Sequence, residues 1–284
     1  MASASLTTKD VARLLQISEA TVKRWADSGA LRPDKTVGGH RRFSIHAIAK
    51  LRREHAQSKR KDSSQRLRSK PANPLASSQA LLETLLAGED AAASAALISS
   101  YLHGHSLIAI CDTLITEAMH LVGDLWMQGE ISVADEHLAT RVMLTAVQQL
   151  RGVIAASDPN GLSAICCGIE GDLHELPLHL AEIILESEGW SVTNLGPNTP
   201  LFSLREMVAQ KRPQVVCVSA RMIADLDRSV VEFAQLKKLL SKLNAQLVLG
   251  GEAFRDPNLR RRFPADLYAN TFQSLSKFAS SLQA

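Results

Sequence analysis

Asp172 and His174 stand one residue apart in Gly171-Asp172-Leu173-His174-Glu175-Leu176-Pro177, between an apolar run and a helical pattern. A neutral imidazole is a ligand for transition metals, and a carboxylate on its other ring nitrogen fixes the tautomer and raises its basicity. A loop histidine by itself is more often a solvated or capped residue, so the pair gains meaning only from what surrounds it. Three other groups have types and spacing that could carry chemistry. Ser219 and the pair Gly250-Gly251 close later apolar runs, and Trp126 precedes Glu136-His137 by nine intervening residues. A cluster of Thr21, Lys23, Arg24, His40, Arg41 and Arg42 lies near the start.

These groups need elements to position them, and charge already divides the chain. Residues 1–70 hold 17 Lys and Arg against 6 Asp and Glu, a balance of +11, whereas the remainder is −8. A basic first quarter on an acidic body points to a polyanion partner, nucleic acid before an anionic membrane. At 284 residues the chain exceeds what one core needs, which favours two or three domains. No apolar run is long enough to span a bilayer and no signal peptide is read, so the expected compartment is the cytoplasm. The four cysteines lie in apolar runs without metal-type spacing and read as buried small hydrophobes.

Residues 6–33 read as two short helices, with Thr7 and Ser18 placed to cap their starts and Gly29 to close the second. Val11, Leu14, Leu15, Ile17, Val22 and Trp25 supply a shared core, leaving Thr21, Lys23 and Arg24 on the outward face of the second helix. Gly38-Gly39 suits a tight hairpin whose return strand carries His40, Arg41 and Arg42. Helix, turn, helix and basic hairpin make a winged helix-turn-helix over residues 1–55. Its Lys and Arg would supply the salt-dependent phosphate term of binding to a double-stranded DNA operator. Residues 56–78, polar, basic and interrupted by Pro71 and Pro74, read as a linker.

From 79 to 157, Leu, Ala and Ile recur at helical spacing with breaks near Gly88, Gly104 and Gly129, which fits a four-helix bundle. Cys111, Ile115, Ala118, Val122 and Trp126 fall at steps of three or four, so Trp126 could simply end a core stripe. Ser132 and Asp135 read as a capping pair, with Glu136 and His137 in the first turn of the fourth helix. From 158 to 284, the runs LSAICCGI, WSVTNLG, QVVCVSA, AQLVLGG and ADLYA alternate with amphipathic stretches. That alternation predicts a doubly wound five-stranded parallel sheet with ligand sites at the carboxyl ends of its strands. The fold class is therefore multidomain, α and α/β.

The first 55 residues resemble the MerR-like winged helix-turn-helix family. The resemblance implies a recognition helix in the major groove carrying Thr21, Lys23 and Arg24, with Arg41 and Arg42 on phosphates. Asp172-x-His174, Ser219 and Gly250-Gly251, at intervals of forty-one residues between positions 177 and 219 and twenty-eight between 221 and 250, resemble the D-x-H-x-x-G, S-x-L, G-G signature of cobalamin-binding domains. There the resemblance implies His174 as the lower cobalt ligand, Asp172 on its other nitrogen, and Ser219, Gly250 and Gly251 along the slot for the nucleotide tail. Trp126, Glu136 and His137 resemble the W-x9-E-H motif of bundles that close over the upper corrin face. The order of the three parts is similar to the CarH/LitR family of light-responsive repressors. That likeness implies adenosylcobalamin as chromophore, a homo-oligomer of two or four copies on DNA in the dark, and release by light.

The chain departs from these patterns at three positions. Pro177 replaces the signature Gly, Arg221 stands where an apolar residue is usual, and Met127 stands where some members carry a His. Arg221 could obstruct the tail slot or grip its phosphate. Two further readings stay open, a repressor of this architecture that is cobalamin-independent or binds another tetrapyrrole, and a corrinoid methyltransferase module. The basic winged domain has no part in methyl transfer, so a regulator rather than an enzyme is expected.

Overall fold

The computed structural model describes residues 5–15, 17–35, 41–44, 47–48, 51, 75–154 and 157–283. The chain forms two compact units, Met1–Ala155 and Ala156–Ala284. The first opens with β1 (Ser5–Thr7), α1 (Thr8–Leu15), α2 (Glu19–Asp27), β2 (Asp34–Lys35) and β3 (Arg41–Ser44). The three strands form an antiparallel sheet in the order β1-β3-β2, with Leu6 opposite Phe43 and Lys35 opposite Arg41.

Both helix starts are capped as their sequence dictates. Thr7 Oγ1 accepts from the Asp10 N–H at 3.1 Å while Asp10 Oδ2 accepts from the Thr7 N–H at 3.0 Å, and Ser18 Oγ accepts from the Thr21 N–H at 3.2 Å. Gly29, at φ +76°, follows the end of α2. Val11, Val22, Leu31, Phe43, Ile48 and Leu51 are buried here. Trp25 and Ile17, expected in that core, are only half-buried. Leu31 and Phe43, from beyond the helices, fill the centre instead. Leu14 and Leu15 lie outside the described side chains, and Gly38, Gly39, His40 and residues 56–74 of the expected linker lie outside the described residues.

Helices then span Ser78–Leu86, Asp90–Leu102 and Val133–Arg151, and a continuous helical stretch runs from Leu107 to Gln128. Within that stretch Ile110–Ile115 is a π-helical turn, in which Thr116 Oγ1 donates to the Cys111 carbonyl at 2.8 Å. Leu85, Leu97, Ile110, Leu114, Val142, Val147 and Leu150 are all fully or almost fully buried. Gly88, Gly104 and Gly129, all at positive φ, stand at the three breaks.

The second unit is a five-stranded sheet of β4 (Ser163–Gly168), β5 (Ser191–Asn194), β6 (Val215–Ser219), β7 (Gln246–Gly250) and β8 (Leu267–Ala269). All strands are parallel and the order is β5-β4-β6-β7-β8. Alternation along the strands gives two apolar faces. Ile165, Cys167, Val216, Val218, Leu247 and Leu249 face the helices Leu201–Lys211 and Leu226–Leu243, with Phe254 and Phe263 packed edge to face nearby. Ala164, Cys166, Cys217 and Val248 face Ala181 and Leu185 of the Leu176–Ser187 helix and Leu275 and Ala279 of the Phe272–Ser281 helix. Strand order reverses between β4 and β6, which makes the carboxyl ends of these two strands the natural place for a ligand.

Candidate functional site

The loop after β4 carries Asp172 and His174 to that reversal point. Asp172 is 2 % exposed although it sits in a loop, and its carboxylate is the reason. Oδ1 accepts from His174 Nδ1 at 2.6 Å and from the His174 backbone N–H at 3.0 Å, while Oδ2 accepts from the Arg221 backbone N–H at 2.5 Å. Burial pushes the Asp172 carboxyl up, and the three N–H donors outweigh it and hold the group below the ordinary carboxylate range. The anion fixes the imidazole with its proton on Nδ1. Nε2 of His174, a ring 49 % exposed, is left as a lone-pair donor with no hydrogen-bond partner among the described residues.

Two further loops lock this arrangement. Asn198, after β5 and at φ +53°, donates its N–H to the Asp172 carbonyl at 2.8 Å and accepts the Gly171 N–H on Oδ1 at 2.8 Å. A Cβ on Gly171 would stand 2.8 Å from Ala224 Cβ, in the loop after β6. Sequence reasoning missed Asn198. An Asn in a turn is a common residue, and only its left-handed φ beside a signature loop marks it. Ser219 ends β6 half-buried, and its carbonyl accepts the Ile169 N–H at 3.0 Å. Gly251, at φ +93°, lies so close to the next residue of that strand end that a Cβ would meet the Ala220 carbonyl oxygen at 2.3 Å. Gly250 has ordinary room for a Cβ. Asp172, His174, Ser219 and Gly250-Gly251 therefore lie along one sheet edge, and Gly251 is a glycine first because the neighbouring backbone fills its side.

The two departures near this loop are both accommodated locally. Pro177 occupies the first turn of the Leu176–Ser187 helix, where a missing N–H costs no hydrogen bond. Arg221 is exposed, and the group it lends to the loop is its peptide nitrogen.

In the first unit, Trp126 ends its helix 43 % exposed, whereas Cys111, Ile115, Ala118 and Val122 of the same stripe are buried. Ser132 and Asp135 form a reciprocal capping box that opens the Val133–Arg151 helix and holds the Asp135 carboxyl below its ordinary value. Glu136 accepts from Thr140 Oγ1 at 2.9 Å, and exposed His137 lies 3.7 Å from it. Trp126 thus stands on one side of the Gly129 turn and Glu136-His137 on the other.

Lys23 and Arg24 are exposed on α2, and Thr21 is half-buried. Arg41 of β3 reaches across to α2, pairing with Asp27 at 2.7 Å and donating to the Lys23 carbonyl at 3.4 Å. The helix and the basic strand are thereby joined edge to edge. Arg42 lies on the same strand, half-buried.

Residues 5–56 match a helix-turn-helix domain family and residues 78–151 match the B12 binding domain family. The HTH-type transcriptional repressor CarA of Myxococcus xanthus is 26 % identical over 226 residues, 76 % of each chain. The chain is similar to a CarH-type repressor. Dimethylamine corrinoid protein 3 of Methanosarcina acetivorans is 26 % identical over 57 % of this chain and 77 % of its own length. The fold of the Methanosarcina barkeri monomethylamine corrinoid protein superposes with a TM-score of 0.61 at 18 % identity, over 72 % of this chain and 96 % of that one. The CarH-type likeness takes in the DNA-binding segment, and the corrinoid proteins share the helical and sheet parts. Among the described residues no helix is long and apolar enough to cross a membrane.

Proposed function

We propose that this chain is a DNA-binding transcriptional repressor that holds cobalamin on its sheet through His174, and whose oligomeric state and operator binding follow the adenosyl form of that cofactor and light. The observation that carries the reading is the Asp172–His174 pair, a buried carboxylate at 2.6 Å from Nδ1 with Nε2 left as a donor at the reversal point of a parallel sheet. Imidazole nitrogen suits cobalt, and a carboxylate behind it fixes the tautomer. The donor set therefore fits a cobalt corrinoid. When bound, adenosylcobalamin supplies a cobalt–carbon bond that light cleaves.

Within this reading the chain divides into a winged helix-turn-helix (1–55), a linker (56–78), a four-helix cap (79–157) and the cobalamin-binding domain (158–284). Asp172 orients His174, and Ser219, Gly250 and Gly251 border the slot for the nucleotide tail. Trp126 offers a flat apolar wall to the upper face, and Glu136 and His137 offer polar contacts. Thr21, Lys23 and Arg24 read the major groove while His40, Arg41 and Arg42 take phosphates. The protein acts in the cytoplasm as a dimer or tetramer and catalyses no reaction. The local fit of Pro177 and Arg221 weighs against a cobalamin-independent repressor, and the helix-turn-helix match weighs against a methyltransferase module.

The test is full-length protein mixed with adenosylcobalamin in the dark, desalted, then examined by absorption, sizing and gel shift before and after illumination. Retained corrin, with His174→Ala losing the histidine-ligated spectrum and binding more weakly, is expected. A wild type that keeps no corrin overturns the reading in favour of the cobalamin-independent repressor. Retained corrin with no change in size or DNA binding on illumination removes the light switch alone.

A further inference from the structure

Three loops converge on Asp172, and each carries a large apolar residue in water. The loop after β4 carries Leu173, 73 % exposed, between Asp172 and His174. The loop after β6 carries Met222, 56 % exposed, next to the Arg221 whose N–H binds Asp172. The loop after β5, tied to Asp172 through Asn198, leads into Phe202, 46 % exposed. Exposed apolar residues scattered singly need no explanation, but three of the four large ones exposed among the described residues of this unit lie on the loops that hold one histidine. Val231, the fourth, belongs to the Leu226–Leu243 helix.

The geometry points to Leu173, Met222 and Phe202 as an apolar collar around His174 that takes the lower face of a flat macrocycle. This inference rests on the proposed cobalamin function and names the residues of this chain that give the macrocycle its grip. A ligand that bonded only to Nε2 would hang from one exposed imidazole. A broad, mostly apolar disc centred on that nitrogen would instead cover side chains that now face water, and would shield the metal–imidazole bond from solvent. Because the loops are cross-tied at Asp172, the collar is set before any ligand arrives, and little ordering is needed on binding. Phosphate, nucleotide or peptide ligands have no use for such a rim.

The experiment titrates the corrin-free full chain with hydroxocobalamin and follows affinity, spectrum and molecular size for wild type, Leu173→Ser, Met222→Ser, Phe202→Ser and the Leu173→Ser/Met222→Ser double variant. Each Leu or Met change is expected to weaken binding about tenfold, the double variant about a hundredfold, as for losing one or two buried side chains of that size. The bound spectrum is expected to stay that of the histidine-ligated wild type, and Leu173→Met and Met222→Leu to keep the affinity. All three residues are exposed, so unchanged thermal midpoints without corrin are part of the expectation. A wild type that takes up no corrin overturns the proposed function and the collar together. If the wild type takes up corrin and the double variant binds it equally, the collar alone is overturned. Equal corrin affinity together with a changed size of the corrin-free protein would assign the patch to a second copy of the chain, and overturns the collar too.

Discussion

Asp172→Asn keeps the size of the side chain and removes its charge, which isolates what the carboxylate does. Three N–H donors aim at its oxygens, two at Oδ1 and one at Oδ2. An amide has one acceptor end, so with its oxygen toward His174 its NH2 faces the Arg221 N–H and leaves a buried donor orphaned. That orphan costs about 1–3 kcal/mol, and turning the other two bonds from charge-assisted to neutral costs about 1 kcal/mol more, roughly 2–4 kcal/mol together. For the unit Ala156–Ala284 this is a fall of roughly 10 °C in the unfolding midpoint at pH 7. The effect carries its own pH signature. The folded Asp172 carboxyl lies below its value of about 3.9 in the unfolded chain, so its stabilisation is complete above that value and is lost as pH falls through the folded one. The Asn variant has nothing to lose there. Thermal unfolding of the corrin-free full chain by circular dichroism, from pH 7 down to pH 3, should show a gap between wild type and variant that closes in acid. Equal midpoints at pH 7, or a gap that stays constant down to pH 3, would refute the account of Asp172 as a charged clamp.

Gly251→Ala should destabilise the same unit by more than about 3 kcal/mol, because the new Cβ meets the Ala220 carbonyl and φ is +93°; chemical denaturation reads this directly, and a loss below about 1 kcal/mol would contradict the clash. Arg41→Ala and Arg42→Ala should each weaken binding to all DNA sequences and reduce the salt slope by about one counterion. An unchanged slope for both would take the hairpin strand off the DNA. Trp126→Ala should leave the helices folded, with a midpoint within a few degrees of wild type since the ring is 43 % exposed. It should also shrink the difference in size and operator binding between dark and illuminated cobalamin-loaded protein; unfolding of the helices would make Trp126 a core residue after all.

The sheet was the most legible part of the fold. Five short apolar runs bounded by turn residues became five parallel strands, because a strand buried on both faces must be apolar at consecutive positions. Helix starts were legible for a similar reason, since Thr7, Ser18 and Ser132 have side chains that complete an open backbone N–H. The site could be read at Asp172 and His174 from spacing, whereas the grip around them could not. Arg221 and Asn198 contribute through backbone groups and a left-handed turn, which residue type does not report. Periodicity misjudged Trp25 and overextended the stripe at Trp126. The π-helical turn at Ile110–Ile115 breaks the even period that the stripe assumed, and the helix end then carries Trp126 out into water.

The hydrogen bond from the Arg221 N–H to Asp172 sets how freely each position of this edge can vary. Because position 221 is held by its peptide nitrogen, its side chain is released from the constraint, and an Arg in place of an apolar residue leaves the clamp intact. In a saturation library scored for folding, position 221 should accept nearly every residue and reject proline, which lacks the N–H. Position 172 should show the opposite profile, intolerant even of its amide, and position 251 should keep glycine alone. A signature position can therefore drift in side chain while its contribution to the loop stays fixed, and the drift at 221 and the invariance expected at 172 are two ends of one hydrogen bond.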